Sequence, residues 1–223
     1  LDALLSESVN ARLDTITAGI EGLATSADTS EQRLTMELRR LKTEAHFIIA
    51  LADLAGEADT ETTVRRLSRL ADACVQAAAD FLLLDADRQG KLKLPDPTNP
   101  GHGSGWILLA MGKLGASELN FSSDIDLVSF VDPEASAVLD PADATDIFSR
   151  LTRRMVRILQ DRTEHGYVFR TDLRLRPDPG STPLAIPVGA ALHYYEARGQ
   201  NWERAAMIKA RPVAGDIQAA ETF

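Results

Sequence analysis

The chain is short of several things, and each shortage excludes something. It has one cysteine, Cys74, so no internal disulfide can form and a reducing cytoplasm is the expected setting. It has no long apolar run and no signal-like start, which argues against a membrane span or a secretory leader. It has no surplus of cations: 24 Lys and Arg stand against 33 Asp and Glu, a formal net charge of -9. Nucleic-acid binders need that surplus to displace counterions from phosphates, so no nucleic-acid partner is expected. The four histidines, His46, His102, His165 and His193, show no metal-ligand spacing. Nothing at either end marks a natural terminus, and the chain reads as a piece of a longer protein.

What is present is uneven. Residues 1–90 carry 9 basic and 16 acidic side chains, whereas 91–223 carry 15 and 17, so the second part supplies the cations an anionic substrate would need. At 223 residues and 44% hydrophobic the chain can build one good core, or one core and a smaller packed unit. Residues 1–93 read as helical. Leu5, Val9, Leu13, Ile16, Ile20 and Leu23 form one stripe at helical spacing. Leu34, Leu38, Leu41, Ala45, Ile48 and Ala52 form a second, with Thr29-x-x-Gln32 as a capping box and Gly56 as its stop. Val64, Leu67, Ala71, Cys74, Ala78 and Phe81 form a third. Such stripes must pack on each other or on the later part of the chain, and nothing in them looks catalytic.

Residues 94–105 are rich in Pro and Gly and make a linker. Gly101-x-Gly103-x-Gly105 precedes a strand instead of following one, so a dinucleotide loop is rejected, and Gly112-Lys113 lacks the rest of a P-loop. From Trp106 the texture is that of strands among helices, over 106–223. Trp106–Met111 reads as a buried strand, Ala116–Asn120 as a short helix, and Leu127–Val131 as the continuation of an Asp-bearing strand. A helix is expected between about Pro141 and Arg162. Tyr167–Arg176 alternates as a long strand, with Tyr167, Phe169, Thr171, Leu173 and Leu175 on one face and Arg170, Asp172, Arg174 and Arg176 on the other. Further helices are expected between Pro187 and Gly199 and from Trp202 to Ala210. This interleaving predicts an α/β or α+β sheet domain.

The chemistry concentrates in Asp124-Ile125-Asp126. Side chains two apart on a strand share a face, and a turn of small residues beside them offers free backbone N–H groups. Two rigid carboxylates there suit Mg²⁺ carrying a phosphate. Asp172 supplies a third if its strand lies alongside, and such a triad can hold two Mg²⁺ ions for an in-line displacement at phosphorus. Arg is the side chain whose planar fork matches phosphate oxygens, so Arg170, Arg174 and Arg176 are candidates to bind them. Glu203 and Arg204 read as a structural pair, and Tyr194-Tyr195 as packing.

Gly112-Lys113-Leu114-Gly115-Ala116-Ser117-Glu118-Leu119-Asn120-Phe121-Ser122-Ser123-Asp124-Ile125-Asp126-Leu127 resembles the signature of the glutamine synthetase adenylyltransferase/deadenylyltransferase family, within the nucleotidyltransferase superfamily. Phe169–Pro177 resembles that family's second motif and Trp202–Gly215 its third. The resemblance implies an α+β fold, a nucleotidyltransferase-type mixed sheet with helices preceded by an all-helical region. It also implies two transferase units in one long chain. One adds AMP from ATP to a tyrosine of glutamine synthetase, and the other removes it with inorganic phosphate, releasing ADP. Glu118-Leu119-Asn120, Ser122-Ser123-Asp124 and Ile208-Lys209-Ala210-Arg211 resemble the N-terminal, removing unit. Ala116 departs from the family, which often has Gly there.

The resemblance further implies that Asp124, Asp126 and Asp172 ligate Mg²⁺, two ions in all. Gly112, Ser122 and Ser123 would cradle a phosphate oxygen, and Arg170, Arg174, Arg176, Lys209 and Arg211 would bind phosphate or the AMP group. Its partners would be adenylylated glutamine synthetase, inorganic phosphate, an adenine nucleotide and, through the full-length enzyme, a PII-type signal protein. The adding reaction, and a transferase-like module without turnover, are the alternatives. A pure binding unit has no need of three clustered acids, whose mutual repulsion is relieved by metal.

Overall fold

The computed structural model describes residues 8–26 and 29–222; Leu5, assigned to the first stripe, lies outside them. The three stripes become three helices: α1 (Val9–Thr25), α2 (Glu31–Leu54) and α3 (Thr60–Arg88). Each starts at a side-chain cap that satisfies an otherwise orphan N–H. Ser8 accepts from Ala11, Ser30 from Arg33 and Asp59 from Thr62. The cap of α2 is thus Ser30 and not the expected Thr29, whose buried hydroxyl has no hydrogen-bond partner among the described residues. Gly56, at φ +74°, ends α2 in the left-handed conformation that glycine adopts without strain. The second stripe is buried in full, and the third is buried from Leu67 to Phe81.

The sheet comes next, with β1 (Trp106–Ala110), α4 (Gly112–Gly115), β2 (Ile125–Val131), α5 (Pro141–Gln160), β3 (Thr171–Asp172), β4 (Ala185–Pro187), α6 (Val188–Ala197), α7 (Asn201–Met207), β5 (Arg211–Gly215) and α8 (Ile217–Thr222). Strand order is β3-β2-β1-β5, with β4 also on β2. β1 runs antiparallel to β2 and β5, while β3 and β4 run parallel to β2. This is a mixed sheet in an α+β arrangement, after an all-helical region.

β1 is buried on both faces, which is why it reads as an unbroken apolar run. Trp106, Leu108 and Ala110 join the core shared with α3 and α5, while Ile107, Leu109 and Met111 join a second cluster with Phe130 and Ile186. The first of these cores also takes in residues of α1 and α2, so the helical region and the sheet share one apolar interior. The polar groups beside Trp106 are matched. The Trp106 indole donates to Ser129 Oγ (2.9 Å), which lies 3.0 Å from Thr152 Oγ1, and Thr152 donates to the Phe148 carbonyl (2.8 Å).

Four elements depart from expectation. The short helix lies over Gly112–Gly115 and not Ala116–Asn120, because Ser117 takes a φ of +59° and stops it. The long strand Tyr167–Arg176 shrinks to Thr171–Asp172. Asp172 Oδ1 accepts the Arg174 N–H (2.8 Å), and Arg176 donates to the Leu173 carbonyl (2.9 Å), which turns the chain immediately. Leu173 and Leu175, expected on one face, therefore pack against different clusters. The helix expected from Trp202 to Ala210 ends at Met207, and Arg211–Gly215 is a strand although it holds Pro212, a residue that ordinarily stops regular structure. Proline is tolerated there because β5 is an edge strand with a bulge opposite Leu108 and Leu109. Glu203 is buried and pairs with Tyr194 (2.9 Å) and the Gln200 N–H (2.8 Å), not with the exposed Arg204.

Arg39 joins the two regions. It is wholly buried on α2 and donates to four backbone carbonyls, Thr35 (2.7 Å), Ile158 (3.0 Å), Asp161 (2.5 Å) and Gly166 (3.0 Å). It thereby satisfies the end of α5 and the turn that leads to β3. Burial lowers its pKa, and the Asp161 charge opposes that shift. Replacing Arg39 with Leu strips these carbonyls of their donor, and the expected loss of folding stability is about 3 kcal/mol, measured by urea denaturation.

Candidate active site

The site grows from the register of two strands. Parallel pairing places Asp126 opposite Asp172 and Ile125 opposite Thr171, and the Ile125 N–H donates to the Arg170 carbonyl (2.9 Å). Asp124 precedes β2 directly. α5 supplies the crossover that makes the parallel pairing possible. Asp126 is half-buried, and its pKa is raised first by burial and then by the neighbouring charges of Asp172 and Asp124. Arg174 and Lys113 oppose that shift. The three carboxylates expected to converge do share one electrostatic environment.

Each outer carboxylate is held by an arginine. Arg170 pairs with Asp124 and donates to the Ser122 carbonyl (2.6 Å). Arg174 lies back over Asp172 (2.8 Å) and keeps its pKa low, chiefly through that hydrogen bond. Among the described residues, no three His, Cys, Asp or Glu side chains are gathered tightly enough to hold a metal as they stand. The donor set nonetheless suits a divalent cation. All three donors are hard oxygens, and Asp126 carries the like-charge repulsion that a cation relieves.

Gly112 makes the close approach possible. Its φ is +54°, and a Cβ built on it would lie 2.6 Å from Asp126 Oδ2. Gly115 is equally constrained, since a Cβ there would meet the Lys209 carbonyl at 1.9 Å. Ala116 sits in the ordinary right-handed region (φ -79°), so its departure from glycine introduces no strain. Ser123 Oγ donates to Asn120 Oδ1 (2.6 Å), and Lys113 Nζ is 3.4 Å from Ser123 Oγ. Ser122 is exposed beside them. Lys209, a further predicted phosphate ligand, is paired with Glu118 (3.0 Å).

Two of the predicted phosphate ligands are engaged elsewhere. Arg176 donates to the carbonyls of Leu173 (2.9 Å) and Pro179 (2.8 Å) and so holds the turn after Asp172. Arg211 pairs with Asp72 of α3 (3.0 Å) and donates to the Leu114 carbonyl (3.1 Å), bracing α4. Sequence reasoning passed over Lys113, which the lack of a P-loop had set aside. It also passed over the second layer that α2 and α3 supply. Ser68 Oγ accepts the Leu119 N–H (3.0 Å). His46 stands edge-on between Phe121 and Phe169, each ring centroid 5.9 Å away, and Lys42 lies over Phe169 at 5.6 Å. Phe121 and Phe169 lead into Asp124 and Asp172, so one helix face braces both carboxylate segments.

A mixed sheet with carboxylates at the edge of adjacent parallel strands, beside a glycine-led turn, is a nucleotidyltransferase-like α+β fold. The comparisons agree. The whole chain, residues 1–223, matches the family described as glutamate-ammonia ligase adenylyltransferase, and the chain belongs to that family. It is 74% identical over 223 residues to a protein of Mesorhizobium japonicum named bifunctional glutamine synthetase adenylyltransferase/adenylyl-removing enzyme, covering all of this chain and 23% of that one. A protein of Brucella suis with the same name is 63% identical over 216 residues, covering 97% of this chain and 22% of its own length. One of Bartonella quintana is 52% identical over 223 residues, again 100% of this chain and 23% of that protein. The chain thus spans under a quarter of the relatives it matches. No helix among the described residues is long and apolar enough to cross a membrane.

Two outcomes are expected. Gly112→Ala forces a side chain onto Asp126 at a positive φ. Mg²⁺ should raise the melting temperature of the wild type and raise that of the variant far less. His46 has its pKa lowered from 6.5 to about 4, first by burial and then by Lys42. The unfolded imidazole therefore takes up a proton that the folded one refuses, and stability falls as pH drops from 6.5 towards 4. His46→Phe should flatten that part of the stability-pH curve, monitored by chemical denaturation at each pH.

Proposed function

We propose that this chain removes AMP from adenylylated glutamine synthetase by phosphorolysis. An oxygen of inorganic phosphate bonds to the adenylyl phosphorus, the bond from that phosphorus to the tyrosine oxygen breaks, and ADP leaves. The tyrosine oxygen departs with the electron pair and takes up a proton. The observation that carries the reading is the Asp126–Asp172 register, with Asp124 adjacent and Gly112 against Asp126. The relatives' printed names include an adenylyl-removing activity. Glu118-Leu119-Asn120, Ser122-Ser123-Asp124 and Ile208-Lys209-Ala210-Arg211 resemble the removing unit in preference to the adding one.

Asp124, Asp126 and Asp172 would hold Mg²⁺, two ions by the sequence resemblance. When bound, these supply positive charge for the attacking and leaving oxygens. A phenol has a pKa of about 10, so the departing tyrosinate needs such help at neutral pH. Arg170 and Arg174 serve as counter-charges for Asp124 and Asp172 and are exposed enough to turn to phosphate oxygens instead. Lys113 adds positive charge beside Ser123, and Lys209 is paired with Glu118. Arg176 and Arg211 act at one remove, by holding the turn after Asp172 and the α4 turn. The adenylylated substrate, and a PII-type signal protein acting through the longer enzyme, would be its protein partners.

The test is a product assay with adenylylated glutamine synthetase, Mg²⁺ and inorganic phosphate. ADP is expected when phosphate is present and absent when it is withheld. Asp126→Asn should cut turnover on the order of a hundredfold or more while the far-ultraviolet circular dichroism stays native. Pyrophosphate released from ATP with the unmodified substrate would assign the chain to the adding reaction. Full activity in a folded Asp126→Asn protein would sink the metal assignment.

A further inference from the structure

We propose that Lys113 receives the attacking phosphate, so that its ammonium holds the group that becomes the β-phosphate of the product ADP. This deepens the phosphorolysis reading above and rests on it.

Lys113 differs from the other cations near the carboxylates in having no acid of its own. Arg170 pairs with Asp124, Arg174 with Asp172, Lys209 with Glu118 and Arg211 with Asp72. Arg176 is held by the carbonyls of Leu173 and Pro179. Lys113 is exposed, and among the described residues it forms no ion pair. Its Nζ meets Ser123 Oγ at a long 3.4 Å, and that hydroxyl gives its own proton to Asn120 Oδ1 (2.6 Å). An ammonium carries three donors, so most of its capacity is open to an oxyanion. Its charge nonetheless acts on Asp126. The turn that carries it is fixed from behind, where Arg211 donates to the Leu114 carbonyl (3.1 Å) and Gly115 packs against the Lys209 carbonyl.

Sidedness assigns the group that Lys113 holds. In the sheet β2 lies between β3 and β1. Arg170 and Arg174 reach the carboxylates from the segment around β3, whereas Lys113 reaches them from α4, just after β1. Entering and leaving oxygens of an in-line displacement stand on opposite sides of phosphorus, so cations on opposite sides serve different groups. Three carboxylates repel an incoming anion, and inorganic phosphate carries more negative charge than the phosphodiester it attacks. A compact ammonium on a flexible four-carbon stem meets such a free ion in any orientation, where a guanidinium fork demands one. Lys113 stays protonated throughout. It gives no proton and takes none, and the phosphate oxygens it holds leave with ADP.

Two measurements test this on the wild type, Lys113→Met and Lys113→Arg, with Mg²⁺ present and ionic strength constant. In the first, ADP and AMP are titrated calorimetrically, since ADP carries the phosphate assigned to Lys113 and AMP lacks it. The wild type should bind ADP more tightly than AMP. Lys113→Met should weaken ADP by about tenfold or more and AMP by less than about twofold, with part of the loss recovered in Lys113→Arg. In the second, the product assay, Lys113→Met should raise KM for inorganic phosphate by about tenfold or more and leave KM for adenylylated glutamine synthetase within about twofold. The proposal is overturned if the wild type does not distinguish ADP from AMP, or if a folded Lys113→Met binds ADP as the wild type does. Equal weakening of ADP and AMP overturns it as well, because a diffuse charge effect or a disturbed site would do that. A rise in KM for the adenylylated protein in place of that for phosphate gives Lys113 to the AMP group and is equally fatal. A wild type that releases no ADP, yet loses its preference for ADP over AMP in Lys113→Met, overturns the phosphorolysis reading and leaves Lys113 as the β-phosphate ligand.

Discussion

The buried guanidinium of Arg39 is the contact that the rest of this architecture hangs on. One side chain on α2 gathers the last carbonyls of α5 and the turn at Gly166. β3 begins five residues after that turn, so the same contact sets where Asp172 meets β2. A charged group inside an apolar core is costly unless its donors are used, and here all its nitrogens donate to backbone carbonyls. The helical region is therefore joined to the sheet by directed bonds as well as by shared apolar surface.

The same logic recurs at the other junctions. Asp72 grips Arg211, Ser68 accepts from Leu119, and Arg154 of α5 meets Asp85 of α3 at 2.8 Å. Each bond ends on α3, and they reach β5, the segment before Asp124 and the crossover helix α5. The helical region, in which nothing looks catalytic, is the inner scaffold of the site. It holds rigid the like-charged cluster of Asp124, Asp126 and Asp172, which the fold must keep together against its own repulsion.

Much of this was legible in the order of residues. The three stripes, the buried strand at Trp106 and the helix from Pro141 come from periodicity, because burial on one face or two leaves a repeating pattern in the chain. The carboxylates were legible because their spacing is local. Asp124 and Asp126 share a face by strand geometry alone, and the motifs around them resemble a known family. The reading failed where long-range bonds decide. Tyr167–Arg176 alternates well enough for a strand, but the Asp172 carboxylate takes the Arg174 N–H and turns the chain. Arg211-Pro212-Val213 looks like a stop signal, yet the edge of the sheet accommodates it as β5.

Local chemistry in the chain determined the helices, the glycine-led turn and the identity of the three acids, since each depends on residues a few positions apart. Tertiary structure decided which cations belong to them. Arg170, Arg174 and Lys113 were brought to the carboxylates, whereas Arg176 and Arg211 were taken for backbone carbonyls and for Asp72. An arginine side chain is long and serves any acceptor within reach, so its partner is settled by packing between distant segments and leaves no period in the sequence.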